Sequence, residues 1–94
     1  MAHIPPYLQE VLDILRAAYP DGLPHQDYFA VLAVLGDDMS ERNLAAVVAE
    51  FIEGEEVVVA NDAAATASRN RPGSADVQRV RRRLASAGWR ADPA

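Results

Sequence analysis

Two groups of side chains in this sequence have the types and spacing to do chemistry: a histidine near an aspartate, and a run of arginines. His25 stands two residues before Asp27, and an imidazole oriented by a carboxylate is a common general base. No nucleophile or oxyanion loop is spaced to use that base, and the absence of cysteine removes a thiol nucleophile and any thiolate metal site. The plainer reading of the pair is a polar helix mouth, with Asp27 answering the positive end of the helix dipole. His3, the other histidine, lies in a terminus expected to fray. Neither histidine has a second ligand at i, i+4. The adjacent acids Asp37-Asp38 and Glu55-Glu56 lack the spacing of a calcium loop, and no glycine-rich phosphate loop is present. The expectation is a protein that is not an enzyme, with no catalytic residue, no metal and no cofactor.

The arginines are the more informative group. Arg79, Arg81, Arg82 and Arg83 fall within five residues, and Arg90 extends the run. On a helix advancing about 100° per residue, Arg79, Arg82 and Arg83 stand about 200°, 140° and 240° from Val77. That places them opposite the apolar stripe of Val77, Val80 and Leu84. Arg81, about 40° from Val77, borders the stripe and can lay its methylenes over it while the head reaches a carboxylate. The expectation is that Arg81 contacts the acidic part of the chain and that Arg79, Arg82 and Arg83 stay exposed. With Arg90 these three form a candidate face for an anion or a partner.

Periodic apolar residues define the elements that must hold these groups. Leu8, Val11, Leu12, Leu15, Ala18 and Tyr19 form one stripe of a helix over 5–19. Pro5 and Pro6 suit its first turn, and Pro20 ends it. Pro20-Asp21-Gly22-Leu23-Pro24 is a turn, with φ set at each proline and free at Gly22. A second helix over 26–35, apolar nearly all round, reads as a short central helix, with a buried strand as the competing reading. Ser40 caps a third over 40–53, with Leu44, Val47, Val48, Phe51 and Ile52 as its stripe and Gly54 as its stop. The three β-branched residues Val57-Val58-Val59 favour a weak extended segment near 55–60. A short Ala-rich helix follows over 62–69, and Pro72-Gly73 breaks the chain. Ser74 caps a last helix over 74–87, which Gly88 closes before Trp89, a bundle lid. The expected fold is a single all-α domain spanning 1–94, a compact bundle of four to five short helices.

Composition agrees, with half of the 94 residues apolar and 24% charged, as in a globular chain. The longest apolar run, Phe29–Leu35, is far short of the roughly 18 residues of a membrane span. The start lacks the basic and apolar segments of a signal peptide, so no membrane association and a cytoplasmic location are expected. The net charge of −5 averages two unlike parts. Residues 1–62 carry two arginines against twelve acids, and residues 63–94 carry seven arginines against two acids.

The second and third helices, with Gly36-Asp37-Asp38-Met39 between them, also match a helix-turn-helix whose wing would begin at Val57. The third helix, however, would bring Glu41, Glu50 and Glu53 against phosphates, and affinity for DNA comes from the opposite charge. Nucleic acid is therefore the alternative reading, through the arginines of the last helix. The leading reading is a non-catalytic module that binds a protein partner or itself, including head-to-tail pairing of its acidic and basic halves.

Gly22-Leu23-Pro24, Asp27-Tyr28-Phe29, the run Val31–Leu35, Ser40 through Leu44 and Val47, and Asp76-Val77 with Arg79-Val80, Arg83-Leu84 and Gly88-Trp89 span most of the chain. On these residues the chain resembles the domain of unknown function 3349 family, small proteins chiefly of actinobacteria. Residues 55–73, rich in alanine, match it least. The resemblance implies a bundle of about five helices and brings no assigned activity or catalytic residue. Gly22, Pro24, Asp27, Ser40, Arg81, Gly88 and Trp89 are read as structural.

Overall fold

In the computed structural model, which describes residues 5–68 and 71–89, the first helix, α1, runs Pro6–Ala18. Pro6 opens it where a missing N–H costs nothing, and the Pro5 carbonyl accepts from the N–H groups of Leu8 and Gln9 at 2.9 and 3.1 Å. Leu8, Leu12, Leu15, Ala18 and the following Tyr19 are buried, as their spacing predicts. Gly22 turns the chain at φ +99°, a conformation that costs an L side chain heavily. The second helix, α2, runs His25–Gly36 and buries Asp27, Ala30, Val31, Leu32, Val34 and Leu35. That wide buried surface makes it the central helix, in contact with all three helices that follow it.

The third helix, α3, runs Glu41–Ile52, and the Ser40 hydroxyl accepts from the Asn43 N–H at 3.2 Å as an N-cap. Its end corrects two details of the sequence reading. Glu53, not Gly54, takes the left-handed conformation, at φ 56°, and the Gly54 N–H closes on the Ala49 carbonyl at 2.9 Å. Ile52, the last residue of the expected stripe, is exposed at this corner.

The largest correction falls on the segment expected to be extended. Val57, Val58 and Val59 lie inside a fourth helix, α4, which runs continuously Glu56–Ser68. Val59 is buried against the core, and the Tyr28 hydroxyl donates to Asp62 Oδ2 at 2.7 Å, pinning α4 to α2. The helical cost of three β-branched residues is a few tenths of a kcal/mol each. Burying one valine contributes about 2 kcal/mol, and the alanines that follow are the best helix formers. Tertiary burial therefore outweighs local preference. It also removes the wing of the helix-turn-helix reading.

The last helix, α5, runs Ser74–Ser86. Gly73 rather than Ser74 is its N-cap residue, and no side chain bonds to the cap. Gly88, at φ +111°, ends it as expected, with the Trp89 N–H reaching the Leu84 carbonyl at 2.9 Å. Half-buried Trp89 packs against the core. α3 lies against α1 and α4, and α5 lies against α1 and α2. Leu15, Val31, Leu35, Val47, Val48, Val80 and Leu84 fill the centre.

Helix and strand make opposite predictions at Val57 and Val59, which would share a face in a strand and stand about 200° apart in a helix. Val59→Ala is expected to cost about 2 kcal/mol in urea unfolding, and Val57→Ala less than about 0.5 kcal/mol. Equal costs at the two positions would contradict a helical α4.

Candidate functional site

The arginines of α5 do not form one exposed face. Arg79 lies between two carboxylates: one guanidinium nitrogen donates to Asp76 Oδ1 at 2.7 Å, three residues back on α5, and the other donates to Asp27 on α2. Asp27 is 2% exposed. Its second oxygen accepts from the Tyr19 hydroxyl at 3.0 Å. A buried carboxylate is tolerable only when paired and hydrogen-bonded, and here both oxygens are satisfied. The two hydrogen bonds raise the affinity of the Arg79 guanidinium for its proton.

One turn along α5, Arg83 acts on the same corner. Its Nε donates to the Ala18 carbonyl at 2.7 Å, satisfying a free acceptor at the C-terminal end of α1. Its guanidinium carbon lies 4.4 Å from the centroid of the Tyr19 ring. Tyr19 is thus held by its ring and by its hydroxyl. Burial, then the bond to Asp27, pushes its hydroxyl up to about 12. Burial and the bond to Asp62 move the Tyr28 hydroxyl in the same direction.

Of the three arginines expected to stay exposed, Arg82 and Arg83 are exposed and Arg79 is half-buried, and two of them, Arg79 and Arg83, also bond to the fold. Helical angles place them opposite the apolar stripe correctly, but α1 and the start of α2 come round to meet them. Arg81 contacts the acidic part of the chain as expected, through Asp37 at 3.4 Å, although both side chains are largely exposed. Arg82 is exposed. Arg90 and His3 lie outside the described residues. Asp27 turns inward to Tyr19 and Arg79 and accepts no bond from His25, which is exposed. Those two residues do not assemble a base and its orienter.

Concave regions of the surface and one face carrying exposed valines remain. A cleft of about 280 Å³ lies between α2, the start of α3 and the end of α4, floored by Leu32, Met39 and Leu44, with Asp37, Glu41 and Arg71 at its edge. Arg71 also lines an open groove beside α5 with Ser74, Gln78, Arg81 and Arg82. The face is the outward side of α4. Val57 is 63% and Val58 50% exposed, and Asn61, Ala64, Ala67 and Ser68 continue the exposed surface. Sequence reasoning missed this face because it assigned the valines to an extended segment. The available signal was that the stretch from Val57 to Ala67 spreads its valines and alanines around the helix rather than along one stripe, a pattern that leaves apolar side chains on more than one side.

Among the described residues these features define a small all-α domain of five helices, in which a half-exposed arginine answers a buried carboxylate and α4 leaves two valines exposed. The chain belongs to the family described as proteins of unknown function (DUF3349), whose model matches residues 6–93. No curated protein matches the chain, and no solved structure does. Among the described residues, no helix is long and apolar enough to cross a membrane.

Two outcomes follow from the Asp27 corner. Arg79→Ala strands a buried carboxylate, whereas Asp27→Ala leaves Arg79 with Asp76 and solvent. Thermal melts should show Arg79→Ala as the more destabilising, with Asp27→Ala costing about 2 kcal/mol through the orphaned Tyr19 hydroxyl. Arg82→Ala should leave the melt nearly unchanged. The second outcome is alkaline. Because the folded value for Tyr19 lies above its ordinary 10.0, its contribution is complete below pH 10 and lost as pH rises towards 12. Urea melts at about pH 8 and about pH 11 should show a smaller loss for Tyr19→Phe than for the parent; equal losses would contradict this coupling.

Proposed function

We propose that the protein is a non-catalytic protein-interaction module and that it binds through the outward side of α4. The observation that carries this reading is the exposure of the adjacent valines Val57 and Val58 on α4. Apolar side chains that remain exposed together on a small domain mark contact surfaces more often than isolated ones do. The acidic rim of Glu53, Glu55 and Glu56 at one end of α4 and Arg71 at the other supplies the charges that orient a partner. Nucleic acid is the weaker reading, because Arg79 and Arg83 already bond within the fold and the chain carries a net charge of −5. A cytoplasmic protein with no cofactor fits this reading.

Val57→Asp/Val58→Asp tests it. Both positions are exposed, so the variant should keep the parent's helical spectrum and a melting temperature close to the parent's. It should bind a purified partner, a second copy of the chain included, at least about tenfold more weakly, a difference of about 1.4 kcal/mol. If every protein recovered with the parent binds the variant equally well, this surface is not the interface.

A further inference from the structure

The outward side of α4 is bounded by opposite charges, and that arrangement bears on what covers it. At about 1.5 Å per residue, the thirteen residues Glu56–Ser68 span about 20 Å. Glu53, Glu55 and Glu56 sit at the N-terminal end, all exposed, and Arg71 sits past the C-terminal end, also exposed. Between them, Val57, Asn61, Ala64 and Ser68 fall at i, i+4, i+7 and i+11, in one line along the exposed side. Glu56 and Arg71 lie on the same flank of that line. Glu56 shares a surface depression with Ala49 and Glu50 of α3, and Arg71 shares a cleft with Glu41 and Leu44 of α3 and Ala67 of α4.

A surface with small side chains at its centre, Asn61 and Ala64, one acidic end and one basic end is complementary to itself when a copy is turned end for end. We propose that the partner of this face is a second copy of the chain, packed α4 against α4 in antiparallel fashion about a two-fold axis between Asn61 and Ala64. This rests on the reading of the α4 side as an interface and supplies its occupant. A two-fold axis perpendicular to α4 keeps each flank on its own side and exchanges its ends. Val57 then faces Ser68 of the other copy and Asn61 faces Ala64. Glu56 approaches Arg71 twice. The contact is isologous and closed, so it ends at a dimer. One copy repeats both charges of the other in reverse order, which a partner of single sign would not match. The small side chains in the middle let two helices approach closely. A single helix pair buries less than the roughly 1,200–2,000 Å² of a standard interface, so the dimer is weak and exchanges readily.

Sedimentation equilibrium of the full chain, from micromolar to about millimolar concentration, measures it. The parent should show a concentration-dependent monomer–dimer equilibrium that weakens as salt is added. Val57→Asp and Asn61→Arg, on the same exposed line, should each raise the dissociation constant at least about tenfold while melting like the parent. Glu56→Arg and Arg71→Glu should each weaken the dimer, and the double variant should recover the parent value to within about threefold, since each copy then offers the reversed pair. A parent that stays monomeric throughout, or a double variant no tighter than the singles, overturns the antiparallel pairing. If the parent stays monomeric while Val57→Asp/Val58→Asp still loses a purified heterologous partner, only the self-pairing fails.

Discussion

A carboxylate buried beside the start of α2 is the constraint on which the rest of the domain turns. Asp27 has no access to solvent to speak of, so its charge must be answered by groups delivered from elsewhere. Tyr19 delivers a hydroxyl from the end of α1, and Arg79 delivers a guanidinium from α5, 52 residues away. Neither is adjacent to Asp27 in sequence, so satisfying one carboxylate fixes three helices relative to one another. Arg83 adds to the same junction by closing a carbonyl of α1 and covering the Tyr19 ring. Hydrophobic burial supplies most of the driving force. It is also non-directional, and the Asp27 junction provides a directional element that specifies how α5 meets α1 and α2.

On the other side of α2 a single hydrogen bond has a similar role. Tyr28 follows Asp27 directly, and its hydroxyl reaches Asp62. Adjacent residues on a helix point about 100° apart, so one turn of α2 addresses α5 and α1 with Asp27 and α4 with Tyr28. This double use explains why α2 carries polar side chains in the first turn of an otherwise apolar helix. It also explains where α4 sits. Docked by Tyr28 and by buried Val59, α4 turns Val57 and Val58 outward, and the domain acquires an apolar surface as a consequence of its own assembly.

The charge asymmetry of the chain looks different once the helices are in place. The basic C-terminal third suggests a free arginine face, yet half-buried Arg79 and exposed Arg83 each bond to another helix, and Arg81 meets Asp37. The two like-charged residues 79 and 83, neighbours on one helix face, are tolerable because each guanidinium has its own acceptors. Among the described residues, Arg71, Arg81 and Arg82 line one groove together. The acidic N-terminal part keeps most of its carboxylates on the surface.

Much of the architecture was legible without coordinates, for reasons local to the chain. The Leu8–Tyr19 and Leu44–Phe51 stripes declare their buried sides because helical period alone sets which residues share a face. Pro20, Gly22, Ser40 and Gly88 declare boundaries because their allowed dihedrals and hydrogen bonds act within a few residues. The mostly apolar second helix announced its central place. Val57–Val59 misled because β-branching is a local preference, whereas their conformation is decided by the burial of Val59 and by the bond between Tyr28 and Asp62, 34 residues apart. Asp27 stands in the first turn of α2, where an acid answers the dipole, but its partners were out of reach of the sequence: only the arrival of Tyr19 and Arg79 makes it a buried ion-pair partner. Periodicity and turn chemistry thus determined the helices and their inward sides, since those depend on near neighbours. Which arginines are structural, and which helix shows an apolar side to the outside, was decided only by tertiary structure, because both depend on which distant side chains come within bonding distance.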